Sequence, residues 1–420
     1  RDPGDLLSKF PPDHPYRELA TLPAVFATDI DYGYMGLTAL ALARLHSSWT
    51  RGLHVLPRAE DELEEFWEGT RRQELRLPRC RDCGTHFSAR YALIEVLGAA
   101  TAHLPAVLVF LGLALAPFVF PGTRSLNVAA KVAVFILLVA SYDLLLGYTG
   151  IVSFAHTMFF GIGGYGVGIA MAKMGSGWFS LFAGILTALA LSLAIALAIG
   201  LLSLRVRAIF FAMITLAVAS FFQILASQLS DFTGGEDGLS FRVPELLRSR
   251  LAAYYVVLAV AAALFLALLR VVNSPFGRVL LSIRENEFRS EAIGYRLVTY
   301  RTVANCLAAL GATAAGVLYA LWLRYTGPDT TLSFNIMIDI LLMVVIGGMG
   351  TMYGAVLGAT IFVVAQNYLQ DLMKLASGAA SGIPLLPQVL HPDRWLLWLG
   401  ILFILCVYYF PAGIVGRLRR

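Results

Sequence analysis

The chain has 420 residues, of which 58% are hydrophobic and only 14% charged, with a formal net charge of +5 and a mean hydropathy of +0.73. A soluble globular chain is about half apolar and a quarter charged, so these values exclude a secreted enzyme, a disordered protein and a nucleic-acid binder. The charges are also uneven. Residues 1–90 hold 26 Lys, Arg, Asp and Glu, and residues 91–420 hold 33. Residues 1–90 therefore read as a small soluble segment, and residues 91–420 as a transmembrane domain.

The first thirty residues lack a basic-then-apolar signal peptide, and the chain opens at Arg1 without a Met, which points to a native start further upstream. Of the four cysteines, Cys306 and Cys406 sit in apolar runs and read as small buried hydrophobes. Cys80 and Cys83 form the one close pair, with His86 nearby. This is no disulfide framework, which needs several spaced cysteines.

A helical span needs about 20 apolar residues. Ten stretches qualify: 104–120, 127–147, 151–172, 179–203, 208–228, 251–270, 301–324, 333–349, 353–373 and 395–411. Their apolar runs are continuous, without the alternation of barrel strands, so the expected fold class is all-α, a polytopic helical bundle. With the 270–301 loop placed in the cytoplasm, its side collects Arg205, Arg207, Arg270, Arg278, Arg284, Arg289, Arg296, Arg301, Arg417, Arg419 and Arg420. That excess has the sign of the positive-inside rule and puts both termini, with residues 1–90, in the cytosol.

Between the second and third spans runs Gly147-Tyr-Thr-Gly-Ile-Val-Ser153-Phe-Ala-His156, followed by Gly161, Gly163, Gly164, Gly166 and Gly168. Small residues at four-residue spacing let helices approach closely in lipid; Gly-rich interrupted spans also expose backbone to a solute. Asp143 and His156 are ionisable at membrane depth, which means either a polar cavity or a satisfied structural site. Asp143, Ser153, His156, Gly163 and Gly164 are the candidate residues of a solute path. Further on, Thr233-Gly-Gly-Glu-Asp-Gly238 has the composition of a tight turn.

The segment Asn273–Gly294 carries Val279, Ile283 and Ala292 or Ile293 at near-helical spacing between charges. It predicts one short amphipathic helix from Arg278 to Ile293, capped by Gly294. Such a helix lies on lipid or docks into a partner's groove; its mixed charges argue against lipid. No P-loop accompanies it, because none of Lys9, Lys131, Lys173 and Lys374 follows a Gly. The motifs HExxH and GxSxG are absent as well.

The stretch Gly277–Gly294 resembles the cytoplasmic coupling motif of permeases in ATP-binding-cassette importers, most closely the LivM-type branched-chain amino acid permeases. Four more blocks match that family in order: Leu145–Tyr165, Thr233–Leu239, Met343–Gly358 and Trp395–Gly416. The resemblance covers about residues 95–420. It implies a permease in a bacterial inner membrane that pairs with a second homologous permease, two cytosolic ATPase subunits and a periplasmic solute-binding protein. Arg284, Glu285, Asn286, Glu287, Glu291, Ala292 and Gly294 would then be the ATPase-coupling residues. ATP and Mg would be held by the partners, with no cofactor in this chain. Asp143 departs from the family pattern, where Asn is expected. An ion-coupled secondary transporter using Asp143 and His156 is the alternative.

Residues 65–86 resemble the start of the rubredoxin-like zinc ribbon that precedes an OB-fold in acyl-CoA-associated proteins. Cys80 and Cys83 would be its metal ligands, but the second CxxC needed for four-coordinate zinc is missing. A remnant without zinc, fused to the permease, is the expectation.

Overall fold

The structure is a computed structural model that describes residues 106–119, 122–203, 208–379, 394–409 and 413–418. The chain divides into two units, Arg1–Leu97 and Gly98–Arg420, and all described residues belong to the second. Cys80 and Cys83 lie outside them.

The second unit is built from α1 (Ala106–Val119), α2 (Thr123–Thr149), α3 (His156–Met174), α4 (Trp178–Ser203), α5 (Ala208–Gln228), α6 (Arg250–Val272), α7 (Pro275–Glu285), α8 (Glu287–Ala292), α9 (Leu297–Leu323), α10 (Phe334–Gly347), α11 (Met352–Ala379), α12 (Trp395–Tyr409) and α13 (Gly413–Leu418). Among the described residues, seven helical stretches are long and apolar enough to cross a bilayer: those of α2, α4, α5, α6, α9, α10 with the turn before it, and α11. Seven of the ten expected spans are thus matched among the described residues. The other three positions also hold helices: the described parts of α1 and α12 are 14 and 15 residues long and border residues outside the described set. In α3, His156 and the glycines dilute the apolar run, and the helix begins at His156 rather than at residue 151.

Helix α2 is the axis of the bundle. Its most apolar 18-residue window is 94% buried, against 22–61% for the other spans. Helices α6, α9, α10 and α11 pack around it, which is why it reads as apolar on all sides rather than on one stripe. Helix α3 lies against α9 at backbone contact. A Cβ at Gly163 would run into the Thr313 carbonyl, and one at Gly316 into the Phe160 carbonyl. Small residues let the two backbones gain dispersion contacts that lipid cannot match.

At one end of the bundle, β1 (Leu239–Ser240) pairs antiparallel with β2 (Tyr325–Thr326). The Thr233–Gly238 turn packs here: the Thr233 hydroxyl lies 2.6 Å from both the Ala226 and Leu229 carbonyls, which share its one proton, and Tyr325 OH donates to the Asp237 carbonyl at 2.9 Å. The expected turn is present, with Gly234, Gly235 and Gly238 all at positive φ.

At the other end, the single helix expected over Arg278–Ile293 is two. Asn286 leaves the helical region at φ −155°, ψ 103°, and its side chain accepts the Arg289 N–H at 2.9 Å, capping α8. An Asn side chain competes for backbone groups, which is why it breaks a helix that apolar spacing alone would continue. The expected apolar face divides accordingly. Leu280 and Ile283 are buried, whereas Phe288 (86%) and Ile293 (67%) are exposed, as is Ala292.

Candidate functional site

The α7–α8 corner is largely exposed, with Arg284–Arg289 and Glu291–Gly294 all at the surface. Pro275 starts α7 after Ser274, a favourable first-turn position for a residue without an N–H. Helix α8 is tied to α7, to α9 and to its own N-cap. Ser282 Oγ and Ser290 Oγ share a hydrogen bond at 2.9 Å, Ser290 Oγ donates to the Asn286 carbonyl at 3.0 Å, and Arg301 of α9 pairs with Glu287. Gly294, at φ 101°, ends it: its N–H donates to the Glu291 carbonyl at 2.9 Å and the Tyr295 N–H to the Ser290 carbonyl at 3.1 Å, the paired bonds of a Schellman cap. Glu285, Glu291 and Ala292 remain exposed. The corner thus offers a rigid knob, Phe288, Ala292 and Ile293, edged by carboxylates.

Arg284 ties this corner to the axis. Its guanidinium donates to the Gly147 carbonyl near the end of α2. One turn back, Asp143 is 1% exposed, and its Oδ1 accepts the Gly350 N–H at 2.9 Å from the loop between α10 and α11. Its Oδ2 has no hydrogen-bond partner among the described residues. Gly147 admits nothing larger, because a Cβ there would collide with Asp143 Oδ1 and the Gly350 nitrogen. Three elements therefore meet at one point through Asp143, Gly147, Arg284 and Gly350.

His156 is held elsewhere. Its Nε2 lies 2.9 Å from Ser141 Oγ, whose single proton goes to the Leu138 carbonyl at 2.7 Å. Nε2 is therefore the donor, and Nδ1, buried, has no hydrogen-bond partner among the described residues. The ring stands edge-on to Tyr142 at 5.1 Å between centroids. Asp143 and His156 are thus each held through one atom by different partners and do not form a pair. Ser153 Oγ accepts the Ala155 N–H at 3.4 Å in the irregular link into α3. Gly163 packs on Thr313, and a Cβ at Gly164 would sit 2.9 Å from Thr326 Oγ1. All five candidate path residues are buried; Gly163 is pressed against the α9 backbone and Gly164 against Thr326 of β2. An apolar cavity of about 200 Å³ opens beside them, between α3, α4 and α5, lined by Tyr165, Phe222 and Leu332 but by none of the five.

A polar cluster that the sequence reading passed over lies across α2, α10 and α11. Lys131 Nζ donates to Gln366 Oε1 at 2.9 Å, and Gln366 Nε2 donates to Asp339 Oδ2 at 3.3 Å. Toward the start of α2, Arg124 pairs with Asp371 at 2.6 Å and donates to the Asn367 carbonyl at 2.8 Å. The signal was a Lys and an Asp inside apolar runs, the same signal that singled out Asp143.

The family model described as branched-chain amino acid transport system / permease component matches residues 124–407. That of the ChsH2 rubredoxin-like zinc ribbon domain matches residues 67–96. The probable branched-chain amino acid transport permease protein LivM of Methanocaldococcus jannaschii is 28% identical over 221 residues, 51% of this chain and 61% of the relative; this chain thus spans about three fifths of that protein. The high-affinity branched-chain amino acid transport system permease proteins LivM of Salmonella typhimurium and Escherichia coli are each 24% identical over 303 residues, 65% of this chain and 70% of theirs. No solved structure matches.

Proposed function

The chain belongs to the family of branched-chain amino acid transport permease components, and we propose that it is the membrane-spanning subunit of an ATP-driven importer for branched-chain amino acids or a related small polar solute. As a multi-pass permease it is a transport subunit and not an enzyme. In this reading it works with a second homologous permease, two cytosolic ATPase subunits that hold ATP and Mg, and a periplasmic binding protein, in a bacterial inner membrane with both termini cytoplasmic. It needs no zinc at Cys80 and Cys83. The ion-coupled alternative is not favoured, since the matched relatives are permease components of transport systems.

One observation carries the coupling step: α8 presents Phe288, Ala292 and Ile293 outward while its base is fixed to the bundle. A cytosolic subunit that grips this knob moves α7 as a lever. Arg284 passes that displacement to Gly147, and so to the axis α2 and the Gly350 loop. Hydrogen bonds by charged groups are the stronger class, which suits a joint that must not slip.

The test is Ala292→Arg, purified with candidate ATPases. Ala292 is exposed in this chain, so folding should be unaffected, whereas overpacking a groove costs roughly 1–3 kcal/mol. We expect a 5- to 150-fold weaker ATPase association and loss of solute-stimulated hydrolysis. Normal association and coupling would make the corner an ordinary solvated surface.

A further inference from the structure

The polar cluster across α2, α10 and α11 places an ammonium, a carboxylate and an amide inside apolar spans. Lys131 lies eight residues into α2, about 12 Å along the helix, and Asp339 and Gln366 are inside α10 and α11. All three side chains are only partly buried. Charged groups at such depth face protein or water, not acyl chains, so something polar must complete their surroundings. The cluster sits toward the α2 end opposite Gly147 and the α7–α8 corner, the end from which an importer takes up its solute.

Its geometry indicates what that completing group is. The ammonium of Lys131 and the carboxylate of Asp339 do not bond directly; the Gln366 amide stands between them, its oxygen on the cation and its nitrogen on the anion. An amide presents an acceptor and a donor about as far apart as the carboxylate and ammonium of an α-amino acid. Lys131 has three N–H donors and a carboxylate has several acceptor sites, so both charges retain capacity beyond the bond to Gln366. About 10 Å nearer the helix start, Arg124 and Asp371 repeat the same order of charges, with side chains 61% and 51% exposed.

We propose that Lys131, Gln366 and Asp339 form a zwitterion site on the solute path, in which Lys131 takes the α-carboxylate, Asp339 takes the α-ammonium, and Gln366 holds the two charges apart while the site is empty. Arg124 and Asp371 form a more exposed first station of the same polarity. The site rests on the importer reading and narrows its solute to molecules bearing adjacent positive and negative groups. Specificity follows from loss of pairing: a solute lacking either group leaves one of the two partly buried charges without a solute partner, which polar sites penalise.

The experiment uses the assembled importer in proteoliposomes, with leucine and its 2-oxo acid analogue, which lacks the ammonium, as probes. Wild type should import leucine and not the oxo acid. Lys131→Met and Asp339→Asn should each lower leucine uptake per complex at least tenfold while ATPase co-purification stays normal. The decisive variant is the apolar pair Lys131→Met with Asp339→Leu. A merely structural ion pair tolerates apolar replacement, so wild-type leucine uptake by this double variant would overturn the site. As an independent reading, Asp339→Cys should react with a charged methanethiosulfonate and be protected by leucine; no reaction, or reaction without protection, would place the cluster off the path. Failure of the wild-type complex to import any amino acid would instead overturn the importer reading itself, and the site with it.

Discussion

Adding one methyl group at Gly163 separates a packing role from a solute-contact role for the glycines of α3. A Cβ there would meet the Thr313 carbonyl group, with 2.9 Å to its carbon and 3.1 Å to its Cα. These are backbone atoms of α9, so no side chain can rotate out of the way, and α3 and α9 must separate. Overpacking of this kind costs roughly 1–3 kcal/mol. The Ala gains about 0.8–1 kcal/mol of helix propensity over Gly, leaving a net loss of about 0–2 kcal/mol, toward the upper end because backbone yields least. Gly112 in α1 is the control: nothing lies within 4 Å of its added Cβ, so Gly112→Ala should be neutral or stabilising by up to about 1 kcal/mol. Thermal unfolding of the two purified variants in one detergent should shift in opposite directions. Equal stability would refute the close-approach argument, and lost uptake per complex at unchanged stability would assign Gly163 to solute contact instead.

Asp143→Asn keeps an oxygen for the Gly350 N–H and should unfold near wild type, whereas Asp143→Leu strands that buried N–H and should cost roughly 1–3 kcal/mol in a thermal melt. Glu287→Ala removes a pair whose carboxylate side is 53% exposed, so it should change stability by less than about 1 kcal/mol. Deleting residues 1–88 should leave assembly and uptake near wild type; normal insertion with no uptake would show that the N-terminal segment takes part. Ser282→Cys and Ser240→Cys should be labelled by impermeant reagents from opposite faces of the membrane, and labelling from one face would refute the proposed orientation.

The positions of the helices were legible because apolar runs of span length have few alternatives, and Gly294 was legible because a helix end that needs positive φ favours Gly. The break at Asn286 was not. Apolar spacing runs straight through it, and the deciding bond is a side chain returning to its own backbone at Arg289. Asp143 and His156 stood out as polar letters in apolar spans, but their partners, Gly350 and Ser141, depend on how the helices face one another. Lys131 and Asp339 carried the same signal and were passed over. Their meaning comes only from Gln366, 235 residues from Lys131, and no local pattern encodes a pairing across that distance.

The enclosure of α2 also has a consequence during synthesis. This helix leaves the ribosome before nearly everything that surrounds it: Gly350 follows Asp143 by 207 residues, and Gln366 follows Lys131 by 235. At about 5–20 residues per second, the central helix waits roughly 10–50 s with a carboxylate and an ammonium lacking these partners. A segment in that condition is a poor candidate for early release into lipid. The insertion machinery must shelter it until α10 and α11 arrive, so maturation is timed by the second half of the chain, and premature termination before residue 350 leaves an unfinished axis for quality control to remove.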